Sequence, residues 1–288
     1  HDVEKIGAVG HGAASLKAFG TDWPGLCHSQ PLFRQSGGGI KGPINPLEDT
    51  FEGTAPMIDA YYWPTPNGWK LSIALEEMGL EYRIFPVNIS KGDQFKEDFL
   101  KISPNNRMPA IVDHDPPGGG APISVFETGA ILIYLATKTG MFYPEDLRKR
   151  TEVTEWLMWQ MGGLGPMIGQ SGHFKLYHSE KIPYAIERYH SEMLRLYGVL
   201  NKRLEGREYI CDEYSIADMA CWPWVITYKR QEVDLQGEFP NVYRWYKLCQ
   251  SRPALRRGYE VGKEFGKPGA AWTEETRKNM MPQNQVKS

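Results

Sequence analysis

Two prolines and a glycine crowd one hydroxyl and one amide in Pro64-Thr65-Pro66-Asn67-Gly68, just ahead of an apolar run. The local chemistry has two uses. As structure, Thr65 is a helix N-cap and Pro66 the first helical residue, with no capping box because Gly68 holds the third position after the cap. As function, a helix start offers unpaired N–H groups and the positive end of the helix dipole, which together favour an anion. A thiolate held there by the Thr65 hydroxyl would have a lowered pKa.

Two further stretches carry donors and acceptors at spacings that chemistry can use. In NNRMPAIVD (105–113), Pro109 opens a strand. It marks an edge strand or a plain trans start, or else a cis Met108–Pro109 bond that turns the Met108 N–H and C=O toward an extended ligand. In FETGAILIYLA (126–136), Glu127 and Thr128 precede a strongly apolar helix. They form an ordinary cap with an acidic neighbour, or a clamp in which Thr128 and the helix start hold a carboxylate while Glu127 accepts from an ammonium.

The second half offers YSIADMACWPW (214–224), where Ser215-x-x-Asp218 reads as a capping box and Asp218 as structural, with Pro223 kinking the helix. GGLGPMIGQSGHF (162–174) is either a mobile linker or a place where backbones pass closely. His173 reads as a satisfied structural histidine. Arg188, in IERY, pairs with an acidic neighbour or receives an anionic group. Tyr177, Trp222, Trp224 and Tyr228 line an apolar pocket or fill the core.

Cys27, Cys211, Cys221 and Cys249 form no C-x-x-C pair and no zinc spacing. They read as reduced thiols of a cytoplasmic protein, so thiol chemistry here needs a sulfur from outside. A net charge of -2 over 288 residues gives no electrostatic footprint for nucleic acid. The longest apolar run, Ala130–Ala136, is too short to span a bilayer, and the first residues have no signal-peptide pattern.

The positioning elements follow from periodicity. Residues 1–56 read as an irregular extension with Trp23, Leu26, Leu32, Phe33 and Phe51 as apolar anchors. Residues 57–143 alternate strands (57–63, 82–87, 108–112, 123–126) with helices (69–78, 128–138), and 94–102 is a short helix or loop. That order predicts a small α/β domain with a mixed sheet. Residues 150–257 carry only helical patterns (151–161, 182–204, 215–229, 242–250), and 258–288 form a tail.

In this order, TPNG, NNRMPAIVD, FETGAILIYLA, GGLGPMIGQ, IPYAIERY and YSIADMACWPW resemble the glutathione transferase family over about residues 57–257. Within it the chain looks closest to the nu class, bacterial disulfide-reducing relatives of the yeast nitrogen-regulator prion protein. The resemblance implies an α/β thioredoxin-like domain, an all-α glutathione-transferase C-terminal domain and a homodimer, with glutathione as cosubstrate. It implies that Thr65 and Asn67 face the glutathione sulfur and that Met108, before a cis Pro109, pairs with the cysteinyl backbone. Glu127 and Thr128 would hold the γ-glutamyl end. Gln94 and Arg107 would line the site, and Arg188 would approach from the helical domain. Thr128 stands where many members carry Ser, and Arg107 where Lys is common.

Three activities follow as expectations. One is glutathione-dependent thiol–disulfide exchange using the glutathione thiolate rather than a protein cysteine. The second is attack on, or removal of glutathione from, an aromatic substrate or thioether. The third is non-enzymatic glutathione binding by a regulator.

Overall fold

The computed structural model describes residues 57–266 and 273–280, together with the backbone of residues 32–34. Trp23, Leu26, Cys27 and Phe51 lie outside the described residues, as do the side chains of Leu32 and Phe33.

The central strand β2 (Ile58–Tyr62) is buried at all five positions, so both of its faces need cover. Helix α1 (Pro66–Glu77) follows, and the chain returns as β3 (Tyr82–Pro86), parallel to β2. After a short helix α2 (Glu97–Ile102) come β4 (Ala110–Asp113), antiparallel to β2, and β5 (Ile123–Phe126), antiparallel to β4. Helix α3 (Thr128–Thr139) closes the unit. The mixed sheet and its flanking helices match the thioredoxin-like architecture expected of the sequence.

One strand was not expected. Leu32–Arg34 forms β1, antiparallel to β3, and makes the sheet order β1-β3-β2-β4-β5. The extension is therefore not irregular throughout. These three residues are too short to show alternation, and pairing covers a sheet edge that would otherwise stay open.

The rest is helical: α4 (Leu147–Trp159), α5 (Gly165–Gly172), α6 (Pro183–Arg203), α7 (Ile216–Val225), α8 (Leu235–Glu238), α9 (Pro240–Ser251), α10 (Pro253–Glu260) and α11 (Glu274–Met280). Asp218 is structural. It completes the capping box of α7, accepts from the backbone of Ile210 and Ser215, and accepts from Trp245 Nε1 at 2.8 Å.

The glycine-rich run is helix, not linker. A single π-helical turn (Gln160–Leu164) leads into α5, and a second (His173–Tyr177) leaves it. Close approach explains Gly165 and Gly169, though not Gly162, where a Cβ would meet nothing within 4 Å. A Cβ on Gly165 would lie 2.4 Å from Gln160 Nε2 and 3.0 Å from Trp224 Nε1, and one on Gly169 would lie 3.3 Å from the Trp224 ring.

Helix α1 joins the two halves. Its residues Gly68 to Glu76 are all buried, because α3, α7 and α10 pack on it and its apolar side chains share one core with Ile58, Ala60 and Tyr62 of β2. Polar groups enclosed on α1 have partners from both halves. Ser72 donates to the Gly258 carbonyl at 2.7 Å, and Glu76 accepts from Tyr82 at 2.8 Å and from Arg257 at 2.7 Å. Past α10, Tyr62 donates to the Val261 carbonyl and Phe265 stacks on Trp63 at 5.9 Å. The last described helix returns to the α/β unit, where Asn279 Nδ2 donates to the Ser90 carbonyl at 2.8 Å.

Candidate active site

Sheet register gathers the candidate residues. Tyr61 pairs with Ala110, and Ala110 with Phe126. The segment after β2 (Thr65, Asn67), the one before β4 (Met108, Pro109) and the one after β5 (Glu127, Thr128) therefore emerge at the same end of the sheet. Because β3 runs parallel to β2, with Pro86 beside Tyr62, the segment carrying Gln94 leaves at that end too.

Thr65 is the N-cap of α1, in extended backbone, and its Oγ1 accepts from the Gly68 N–H at 3.2 Å. Its own proton points toward Met108 Sδ, 3.8 Å away, a weak acceptor. Pro66 lacks an N–H, and Trp69 N–H is used by the Thr65 carbonyl. That leaves the Asn67 N–H as the first-turn donor with no acceptor among the described residues. Gly68 is required here, since a Cβ would stand 2.0 Å from the Trp63 carbonyl oxygen. This contact lets the helix begin directly on the end of β2.

The Met108–Pro109 peptide bond is cis, and both residues are buried. Asn105 Nδ2 donates to Glu127 Oε1 at 3.3 Å, tying the segment before β4 to the one after β5. Glu127 is exposed and takes a positive φ of 71° at the start of α3. Thr128, 6% exposed, accepts from Lys70 Nζ at 3.2 Å. Gln94 is buried, and its Nε2 donates to the carbonyls of Ile89 and Asn279 while its Oε1 has no partner among the described residues. Arg107 is exposed and donates to Asn106 Oδ1 at 2.6 Å. Arg188 is exposed on α6, one turn from Glu192, and no hydrogen bond or ion pair joins it to the Thr65 corner among the described residues.

Two roles were not read from the sequence: Lys70 was not named, and Trp224 was named without its partner. Lys70 is 1% exposed, and Nζ also donates to Gln160 Oε1 at 2.7 Å. Burial drives its pKa down to about 7, with the Glu127 carboxylate opposing the shift. A lysine at the centre of an otherwise apolar run, WKLSIAL, was the available signal. The second is Trp224, half-buried at the end of α7, whose Nε1 donates to Asn67 Oδ1 at 3.2 Å. Of the two alternatives left open for Trp222, pocket or core, the second holds: it is 1% exposed and stacked on Tyr246.

Electrostatically the corner favours an anion, while the protein's own thiols are kept neutral. Burial pushes the Cys221 and Cys249 thiols well above their ordinary range and Cys211 up to about 12. Among the described residues no group of His, Cys, Asp and Glu could hold a metal ion. The donors suit glutathione, a peptide with two carboxylates, an ammonium and a thiol. Thr65 and Asn67 carry hydroxyl and amide donors, Thr128 opens α3 with its hydroxyl between Lys70 Nζ and Met161 Sδ, and Glu127 is an exposed carboxylate.

Residues 58–137 match the glutathione S-transferase N-terminal domain, and residues 167–253 the glutathione S-transferase C-terminal domain. The chain belongs to the glutathione S-transferase family. It is 55% identical over 199 residues to the disulfide-bond oxidoreductase YfcG of Escherichia coli, spanning 69% of this chain and 92% of that one. It is 41% identical to the disulfide-bond oxidoreductase YghU of the same organism, over 81% of this chain and 86% of that one. Among solved structures it is similar to a glutathione transferase of Burkholderia graminis with two glutathione molecules bound per subunit. That match has 45% identity and a TM-score of 0.69, over 72% of this chain and 89% of the other. A glutathione transferase of Pseudomonas putida with one glutathione disulfide bound per subunit gives 42% identity and a TM-score of 0.68, over 72% and 92%.

Proposed function

We propose that this glutathione transferase is a glutathione-dependent thiol–disulfide oxidoreductase that works with the thiolate of glutathione and without a protein cysteine. The observation that carries it is the contrast at the Thr65 corner. The Asn67 N–H and NH2, without acceptors among the described residues, meet there a Thr65 hydroxyl that has only the weak acceptor Met108 Sδ, while each described cysteine is held neutral by burial. The names of the two E. coli relatives support the same reaction class.

Bound glutathione supplies the sulfur that exchanges with a disulfide. The protein's residues orient and stabilise it. The Thr65 hydroxyl and the Asn67 N–H and side-chain amide give hydrogen bonds to negative charge on the sulfur, lowering the pKa of the bound thiol. Met108 offers backbone to the cysteinyl unit, Glu127 and Thr128 hold the γ-glutamyl end, and Gln94 and Arg107 border the site. Arg188 would serve only if α6 or a ligand brings it nearer. A homodimer is part of the proposal, supported by exposed Ile123 and Phe126 on the edge strand β5. A cytoplasmic setting in a bacterium is supported by the free thiols Cys211, Cys221 and Cys249 and by the bacterial relatives.

The test is a cysteine-free variant, with Ala at buried Cys221 and Cys249 and Ser at Cys27 and Cys211. Reduction of 2-hydroxyethyl disulfide by glutathione should stay within about threefold of wild type. A folded variant that has lost turnover ends the proposal. Faster turnover of a glutathione thioether of an aromatic ketone than of any disulfide would move the assignment to thioether cleavage. Tight glutathione binding with no turnover would leave a regulator.

A further inference from the structure

We propose that Trp224 is a positioning residue that fixes which way the Asn67 amide faces, so that its NH2 group rather than its carbonyl is presented to the glutathione sulfur. This rests on the function proposed above. An asparagine side chain carries an acceptor at one end and two donors at the other, and either end can face a site. Only the donor end can stabilise a thiolate; the carbonyl end would repel it.

Trp224 removes the choice. An indole N–H donates and never accepts. Its Nε1 lies 3.2 Å from the Asn67 side chain, so the atom facing it must be the oxygen. The Asn67 Nδ2 is turned away from the indole, and it has no acceptor among the described residues. Its two protons are thus left for a ligand at the start of α1, beside the Thr65 hydroxyl.

The indole is held in place by the glycine-rich helix. Gly165 approaches so closely that a Cβ would stand 3.0 Å from Trp224 Nε1, and a Cβ on Gly169 would stand 3.3 Å from the far edge of the ring. On the other side Trp224 is anchored in α7, whose residues Ile216 to Pro223 are all buried. The helical half thereby sets the hydrogen-bond polarity of a residue that belongs to the α/β half. Through Trp224 the run GGLGPMIGQ acquires a purpose at the Thr65 corner.

The test compares Trp224→Phe, Asn67→Ala and the double variant. The readouts are the ionisation of bound glutathione, followed by thiolate ultraviolet absorbance against pH, and the affinity for S-methylglutathione, which has no thiol to ionise. Trp224→Phe should raise the thiol midpoint by about one pH unit, a tenfold loss of thiolate at low pH, with S-methylglutathione affinity held within about twofold. The double variant should shift no further than Asn67→Ala alone, because both changes remove one interaction. A Trp224→Phe midpoint equal to wild type, with Asn67→Ala shifted, overturns the role of Trp224 and leaves the site intact. Failure of wild type to bind glutathione, or an unshifted Asn67→Ala, overturns the underlying function and this inference with it. If Trp224→Phe does not fold, Asn67→Asp decides. With the indole holding one carboxylate oxygen, the other faces the sulfur without a proton, so the midpoint must rise above that of Asn67→Ala. A wild-type midpoint in Asn67→Asp refutes the proposal.

Discussion

Lys70 Nζ lies 2.7 Å from Gln160 Oε1, so an enclosed ammonium on α1 is bonded to the π-helical turn of the helical half. The same nitrogen reaches Thr128 Oγ1 at 3.2 Å. One charge thus connects the first helix of the α/β unit, the start of α3 and the opposite half of the molecule.

That charge makes stability depend on pH. In the folded protein burial lowers the Lys70 pKa to about 7, while in the unfolded chain it returns to an ordinary value near 10.5. Between these values the unfolded chain binds more protons, so this group makes the protein more stable as pH rises from about 7 toward about 10. Below about 7 both states are charged and the whole cost of enclosing the ammonium is present. Lys70→Met lacks this dependence. Its melting temperature relative to wild type should therefore be most favourable near pH 6 and should decline toward pH 9 and above, as read by thermal unfolding at about those values. A constant difference across the range would show that Lys70 does not titrate there.

The two roles of Thr65 separate by substitution. Thr65→Ala loses the cap bond to Gly68 and should cost about 1 kcal/mol in chemical denaturation. Thr65→Asp keeps a capping oxygen and should stay within about 0.5 kcal/mol of wild type. Its carboxylate repels a thiolate, so disulfide reduction should fall at least about a hundredfold in both variants. Full activity in Thr65→Asp would mean that the hydroxyl is only a cap.

Gly68 has no room for a side chain. Gly68→Ala places a methyl 2.0 Å from the Trp63 carbonyl oxygen, an atom of backbone that cannot swing aside. The helix start must move, with a loss of roughly 1–3 kcal/mol in urea unfolding and a larger proportional loss of turnover than of stability. Unchanged kinetics would show that the position of the α1 start is not critical.

The last described helix steadies the segment between β3 and α2. Asn279 accepts from Gln94 Nε2 at 3.3 Å and donates to Ser90 at 2.8 Å. Removing residues 273–288 should raise the KM for glutathione about threefold while kcat changes little, because the proposed function places Gln94 at the binding end rather than at the sulfur. Steady-state kinetics with varied glutathione checks this. A selective loss of kcat would place the segment nearer the sulfur.

Much of this was legible because its signals are local. The Thr65 cap, the Ser215–Asp218 box and the strand–helix order each depend on neighbours within a few residues. Grouping Thr65, Met108, Glu127 and Thr128 at one end of the sheet needed strand register, which sequence spacing alone does not contain. The role of Lys70 and the partner of Trp224 were hidden for a related reason. Each acts through a partner far along the chain, Gln160 and Asn67 respectively, and a lone lysine or tryptophan does not announce that partner. Leu32–Arg34 escaped because three residues carry no period.

Helix α1 has no outer face from Gly68 to Glu76, being walled by α3, α7 and α10 and by the core it shares with β2. A chain divided between Thr139 and Leu147 would leave each fragment with raw apolar surface and a broken set of polar partners. Co-expressed, the two pieces should find each other and rebuild the catalytic corner only on meeting, which makes this scaffold a natural candidate for fragment complementation, with disulfide turnover as the reporter.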